Sequence, residues 1–279
     1  MPENRRSVVL DDRALIEFTA FAARLAEIAG LAILPYFRAP LDIQNKAAGA
    51  GGYDPVTIAD RDAETAIRDE ISRVYPGHGI IGEEHGVKPS RDGLTWIIDP
   101  IDGTRAFVIG QLHWGVLIAL SDGNRPLMGL MHQPFTGETF TGSRRGSEWR
   151  RGIDRRALRT RRCARIEDAA VCATDPAMFK SGAERDAFRG LAARSRMRRY
   201  GGDCYSYCLL AAGLIDLVVE AGLQPYDIQP VIPIIEGAGG IVSSWSGGNA
   251  AMGGQILAAG DARAHRLALE MLSPAAVGA

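Results

Sequence analysis

Trp96-Ile97-Ile98-Asp99-Pro100-Ile101-Asp102-Gly103-Thr104 passes from apolar to acidic within a few residues, and its reading decides that of the whole chain. Trp96, Ile97 and Ile98 are aromatic and β-branched, as in a strand buried on both faces, and Pro100 is expected to stop it. Asp99 and Asp102 would then share a tight turn with converging carboxylates. Like charges at close quarters stay ionised mainly when cations share the site, and a hard divalent ion such as Mg²⁺ suits oxygen ligands. A helix starting at Gly103 and Thr104 would add free backbone N–H groups, an anion site beside the metal. The same letters also spell an ordinary turn, because Asp, Pro and Gly are what turns are made of.

Two further segments favour the metal reading. Ile80-Ile81-Gly82-Glu83-Glu84 is another apolar run ending in carboxylates, and two such strands can be neighbours in one sheet. Leu217-Val218-Val219-Glu220 leads through Gln224, Pro225 and Tyr226 to Asp227, which reads as the N-cap of a helix running toward Glu236 and ending at Gly237-Ala238-Gly239-Gly240. Pro230 and Pro233 are best tolerated near the start of that helix.

Together these segments resemble the inositol monophosphatase family of lithium-sensitive, Mg²⁺-dependent phosphatases. The resemblance rests on Gly82-Glu83-Glu84, on Asp99-Pro100-Ile101-Asp102-Gly103-Thr104, and on Tyr226-Asp227 followed by Glu236 and the glycine-rich segment. Tyr226 stands where the family usually has Trp. The resemblance implies a layered αβαβα sandwich of the α/β class, a single catalytic unit over 1–279 with an α+β half (1–150) and an α/β half (151–279), and a homodimer. It also implies the ligand set: Glu83, Asp99 and the Ile101 carbonyl for a first Mg²⁺, and Asp99, Asp102 and Asp227 for a second, with two or three ions in all. Glu83 and Thr104 would orient the attacking water, Asp60 would hold Thr104 or a further water, and Glu84 would support the ligands. Asp102, Gly103, Thr104 and Asp227 would face the substrate, with the Gly103 and Thr104 amides on the phosphate.

Composition agrees with such an enzyme. The 279 residues, 46% of them hydrophobic, can bury a large core, and a net charge of −1 gives no overall field for nucleic acid. Arg144, Arg145, Arg150, Arg151, Arg155, Arg156, Arg159, Arg161, Arg162 and Arg165 crowd the middle of the chain. Without interleaved aromatics they read as a solvated loop face or an interface. Cys163, Cys172, Cys204 and Cys208 are too scattered for a disulfide framework and suggest reduced thiols in the cytoplasm. Cys204 and Cys208, one helical turn apart, read as core packing rather than zinc ligands, since no matching Cys/His pair accompanies them. No apolar run is expected to reach the length of a membrane span.

Asp11 or Asp12 would cap a long amphipathic helix ending near Pro35, and a second helix would run from Asp60 to about Tyr75. The glycine-rich stretch 45–55 between them reads as a lid or as a plain surface loop. Strands are expected at 115–120 and 126–133, and later at 216–220, 241–244 and 256–259, with helices at 206–212 and 262–272.

Substrate choice turns on Tyr200-Gly201-Gly202-Asp203-Cys204-Tyr205-Ser206-Tyr207. In the resembled family small neutral residues usually occupy the place of Asp203 and face a polyol. A carboxylate there beside Glu220 asks for a cation on the leaving group, because an unpaired buried charge is costly. Gly202-Asp203-Cys204-Tyr205, Asp102-Gly103-Thr104-Arg105-Ala106-Phe107 and Pro225-Tyr226-Asp227 resemble the histidinol-phosphate phosphatase branch. The resemblance thus implies hydrolysis of histidinol phosphate in histidine biosynthesis, with inositol-1-phosphate or sugar phosphates as the alternative. Asp203 could also simply cap the helix that follows.

Overall fold

The computed structural model describes residues 10–40, 43–45 and 55–277. The glycine-rich stretch read as a lid lies mostly outside them. Helix α1 (Asp12–Ile33) starts where Asp11 accepts the Ala14 N–H at 2.7 Å, and it turns Leu15, Phe18, Ala22, Leu25 and Ala29 inward. After the short strands β1 (Ile43–Asn45) and β2 (Pro55–Thr57), helix α2 (Ile58–Val74) packs beside α1.

The first sheet holds β3 (Gly79–Gly82), β4 (Gly86–Lys88), β5 (Thr95–Asp102), β6 (Gly115–Ser121), β7 (Pro126–Gln133), β8 (Glu138–Ser143), β9 (Gly146–Arg151) and β10 (Asp154–Ala157). Its order is β10-β9-β8-β7-β6-β5-β3-β4. The five-residue helix α3 (Thr104–Val108) follows β5 directly. Pro100 does not stop β5, contrary to expectation. The strand runs on to Asp102, and its register with β6 slips between Asp99 and Asp102. A proline lacks the N–H that a regular ladder needs, so it sits where the pairing is already irregular. The slip falls between the two aspartates, with Asp99 paired to Leu117 before it and Asp102 closing the strand after it.

The second sheet takes β11 (Ala170–Ala173), β12 (Met197–Tyr200), β13 (Leu217–Leu223), β14 (Ile241–Ser244) and β15 (Gly254–Ala259), in the order β12-β11-β13-β15-β14. Between and around them lie α4 (Gly182–Arg194), α5 (Asp203–Ala211), α6 (Pro225–Ile228), α7 (Ile232–Gly237) and α8 (Ala262–Leu272). Helices α1 and α2 cover one face of the first sheet; α5, α6 and α7 fill the space between the sheets; α4 and α8 close the far face of the second. This is the expected αβαβα layering. Three cores occupy its interfaces, and Cys204 and Cys208 belong to the middle one, as core packing predicts. All four cysteines are free and buried.

Three expectations change. Much of the arginine-rich segment, read as a solvated loop face or an interface, forms the β9–β10 hairpin and carries the first sheet on to Ala157. The helix expected from Asp227 to Glu236 is broken into α6 and α7, with Pro225 and Pro233 in the two first turns. Asp227 is therefore inside a first turn and not the cap. The break lies against the first sheet so closely that a Cβ at Gly129 would stand 1.9 Å from the Pro230 carbonyl oxygen and one at Gly142 2.3 Å from Ile234 Cα. Finally, the segment Asp12–Tyr36 is long and apolar enough to cross a membrane, which was not expected. Its apolar stripe is buried against α2, β6 and β7 as part of the first core.

Candidate metal centre

Strand β5 and helix α6 deliver the central carboxylates. Asp99, Asp102 and Asp227 each offer one oxygen, and these three oxygens lie within 4.8 Å of one another. Each carboxylate is aimed by a single backbone donor among the described residues. Asp99 accepts the Ile101 N–H at 3.0 Å, Asp227 accepts the Gln224 N–H at 2.8 Å, and Asp102 accepts the Cys204 N–H at 2.7 Å. The last bond ties the first sheet to the start of α5, whose own N-cap, Gly202, gives no side-chain cap. That one bond both orients a carboxylate oxygen of the cluster and holds the start of α5 against the end of β5.

Glu83 follows β3, which runs parallel to β5 as the two acidic strand ends predict. It lies outside the three-carboxylate group, but its charge bears on Asp99, Asp102, Asp227 and Asp60 alike. Burial, reinforced by these neighbours, pushes Asp99 and Asp227 well above the usual carboxylate range and Asp102 up to about 6. Such mutual repulsion is relieved by a cation. The donor set is made of hard carboxylate oxygens without His or Cys, which fits Mg²⁺ and not zinc.

Thr104 begins α3 after Gly103, whose φ of +85° only glycine adopts readily, and a Cβ there would stand 2.5 Å from the His113 carbonyl oxygen. The Thr104 hydroxyl donates to the Ile101 carbonyl at 3.1 Å. It is not turned to Asp60, for which the resemblance implied a bond to Thr104 or to a further water. Asp60 instead closes a capping box with Thr57, taking that residue's N–H at 2.9 Å and hydroxyl at 2.7 Å, and burial with Glu83 nearby raises it to about 6. The Ile101 carbonyl keeps a second lone pair for a metal.

Asp203 and Glu220 differ. Glu220 is buried and its oxygens accept the Thr174 N–H at 2.8 Å, the Thr174 hydroxyl at 2.6 Å and the Tyr207 hydroxyl at 2.8 Å. It stands satisfied, which corrects the expectation that both acids await a cation. Asp203, at the first position of α5 with φ +40°, makes no hydrogen bond or ion pair among the described residues. Its Cβ lies 3.3 Å from where a Cβ on Gly103 would stand, and burial next to Asp102 and Glu220 raises it to about 8. It does not cap α5.

Sequence reading missed Glu64. Fully buried on α2, this carboxylate accepts the Glu84 N–H at 2.7 Å and the His85 N–H at 3.1 Å, and Arg68 donates to it at 2.6 Å. It thereby fixes the turn that carries Glu83 and Glu84. A Cβ on Gly82 would stand 2.1 Å from Glu64, so glycine is required for that approach. The available signal was the Glu64–Arg68 spacing on one helix face, which equally describes a surface pair.

Comparison with known proteins agrees with this geometry. The chain is 38% identical over 274 residues to the bifunctional phosphatase IMPL2, chloroplastic, of Arabidopsis thaliana, covering 94% of this chain and 77% of that protein. It is 34% identical over 237 residues to the histidinol-phosphatase of Chlorobaculum parvum, covering 85% and 89%. The solved structure of an inositol monophosphatase from Zymomonas mobilis superposes with a TM-score of 0.82 at 37% identity, covering 93% and 98%. The model of the inositol monophosphatase family matches residues 14–275, and the chain belongs to this family of Mg²⁺-dependent phosphatases.

Proposed function

We propose that this protein hydrolyses histidinol phosphate to histidinol and phosphate, with Asp203 reading the positive charge of the leaving group. The observation that carries the proposal is the Asp203 carboxylate, which makes no hydrogen bond or ion pair among the described residues and has beside Asp102 and Glu220 only the charge of Arg105 acting in its favour. A cationic amine or imidazole on the substrate supplies that partner, whereas a neutral polyol leaves the charge unpaired. The 34% identical histidinol-phosphatase of Chlorobaculum parvum supports this reading. Glu220 acts from behind, its charge facing Asp203 and its oxygens held by Thr174 and Tyr207.

Glu83, Asp99, Asp102, Asp227 and the Ile101 carbonyl would hold two or three Mg²⁺ ions. When bound, Mg²⁺ neutralises phosphate charge and makes a coordinated water more acidic. Thr104 and Glu83 orient the attacking water, and Asp60 holds the start of α2 close to them through its capping box. The Gly103 and Thr104 amides steady the phosphate oxygens opposite Asp203. No side-chain nucleophile is required.

The 37% identity to the Zymomonas mobilis inositol monophosphatase favours a second reading, an inositol- or sugar-phosphate phosphatase. Phosphate release from histidinol phosphate and inositol-1-phosphate separates the two. A kcat/KM preference of about a hundredfold for histidinol phosphate, lost in Asp203→Ala, upholds the proposal. Comparable or reversed values, or a preference untouched by Asp203→Ala, transfer the enzyme to the second reading. A homodimer of such units is the expected assembly.

A further inference from the structure

A cavity of about 880 Å³ opens on the outer part of the first sheet, between α1 and the β9–β10 hairpin, and contains none of the residues placed at the metal centre. Arg145, Arg150, Arg155 and Arg159 line it on the sheet side. Arg150 and Arg155 are direct partners in the β9–β10 register, so their side chains leave the same face with Cβ atoms about 5 Å apart. Like charges placed directly opposite each other are destabilising unless something negative lies between them.

Nearby acids do not fill that role. Asp12 pairs with Arg144 and Arg145, and Glu27 approaches Arg150 only to 3.7 Å while itself largely exposed. Glu148 and Glu236 also line the cavity but ion-pair with none of its arginines among the described residues. Arg155 and Arg159 have no ion pair there either. The opposite wall is apolar, with Ile16 and Ala20 of α1 facing the cavity and Ile16 57% exposed. Cationic floor, apolar wall and a volume within the range of about 300–1,000 Å³ are the marks of a small-molecule site.

We propose that this cavity binds a soluble phosphate ester of nucleotide size, its phosphates on Arg150, Arg155 and Arg159 and its apolar body against Ile16 and Ala20. Arginine suits the task because its planar fork grips phosphate oxygens in pairs. Glu148 sits on the same face, two residues from Arg150, where it can accept a hydroxyl or amino donor of the ligand.

The test is calorimetric titration of the full-length protein with ADP, adenosine and inorganic pyrophosphate, without divalent metal and at low salt. Under these conditions the carboxylates of the metal centre repel the probe. Saturable ADP binding is expected, stronger than that of either fragment and weakened about tenfold or more in Arg155→Ala/Arg159→Ala. Both arginines are exposed, so the double variant should melt with its parent. Ile16→Ser, which adds no charge to the cavity, should weaken ADP and leave pyrophosphate unmoved. Absence of saturable ADP binding at millimolar concentration, or binding unchanged in the double arginine variant, overturns the proposal. ADP binding insensitive to Ile16→Ser and no stronger than that of pyrophosphate overturns it too, by reducing the cavity to a patch that holds phosphate alone.

Discussion

Two sets of buried or half-buried carboxylates stand in this protein, and their surroundings are opposite. Glu64 and Asp216 each face a guanidinium and backbone donors: Glu64 has Arg68 and two N–H groups, and Asp216 has Arg161 at 2.7 Å and the Ala170 N–H at 2.7 Å. Asp99, Asp102 and Asp227 have one backbone donor apiece among the described residues, with the Cys204 thiol added at Asp102, and otherwise face one another and Glu83. The first set is neutralised by the chain itself and holds the scaffold. The second is left for something outside the chain to neutralise, and a buried acid whose charge the protein does not answer marks a binding site.

The comparison breaks most visibly at Asp99. Asp99→Asn is expected to abolish Mg²⁺-dependent phosphate release while leaving a folded protein. In excess chelator it should melt above its parent, because one of three facing charges is gone. Added Mg²⁺ should raise the melting temperature of the parent, since a ligand that binds only the folded form stabilises it, and should raise that of the variant far less. Scanning calorimetry with and without metal, beside an activity assay, decides this. A variant with full turnover removes Asp99 from the metal centre.

Next in size is Thr104. Its hydroxyl donates to the Ile101 carbonyl, so it either positions water at the reacting centre or merely steadies the turn before α3. Thr104→Ala should lower kcat about ten- to a thousandfold with little change in melting temperature if it acts on water. An unchanged kcat with a lowered melting temperature assigns it to the turn.

Asp216→Asn should show the opposite profile. Asp216 is buried while Arg161 is 35% exposed and stays solvated, so the loss is that of the carboxylate's bonds to Arg161 and to the Ala170 N–H and costs about 1–3 kcal/mol of stability. Turnover per folded molecule and the Mg²⁺ requirement should stay as they are. Denaturant unfolding read beside kcat measures both, and a loss of Mg²⁺ affinity at this position would mean that the two sets are coupled after all.

The unanswered set was legible in the sequence and most of the answered set was not. Asp99 and Asp102 stand out because an apolar run ends in two acids, and that alternation is local. The continuation of β5 through Pro100 was hidden, because a bulge depends on what pairs with the strand. Asp227 was read as a ligand on the resemblance and placed in one long helix; the break between α6 and α7 falls where Pro230 lies against Gly129 of the first sheet, a contact far along the chain. Glu64, Thr174 and Tyr207 matter through contacts far along the chain, and nothing near them in sequence distinguishes them from ordinary residues of α2, of the loop after β11 and of α5. The β9–β10 hairpin was masked by its arginines, which have the composition of a solvated loop.

A half-buried group that is not an acid sharpens the same distinction. His132 on β7 has its Nδ1 3.0 Å from the Glu138 carbonyl oxygen and 2.9 Å from the Thr139 hydroxyl, and burial pushes it down to about 4, with Arg150 adding to the effect. The native state therefore holds it neutral, whereas the unfolded chain takes up a proton below about 6.5. Above that pH the contribution to stability is complete; as pH falls from about 6.5 to 4 it is lost, by about 3 kcal/mol in all, because the unfolded state binds the extra proton. His132→Asn keeps a donor for the carbonyl and cannot titrate. Its unfolding free energy should fall less steeply over this window than that of the parent. Parallel curves for the two proteins would mean that His132 is already charged in the fold, and that its environment answers charge as that of Glu64 does.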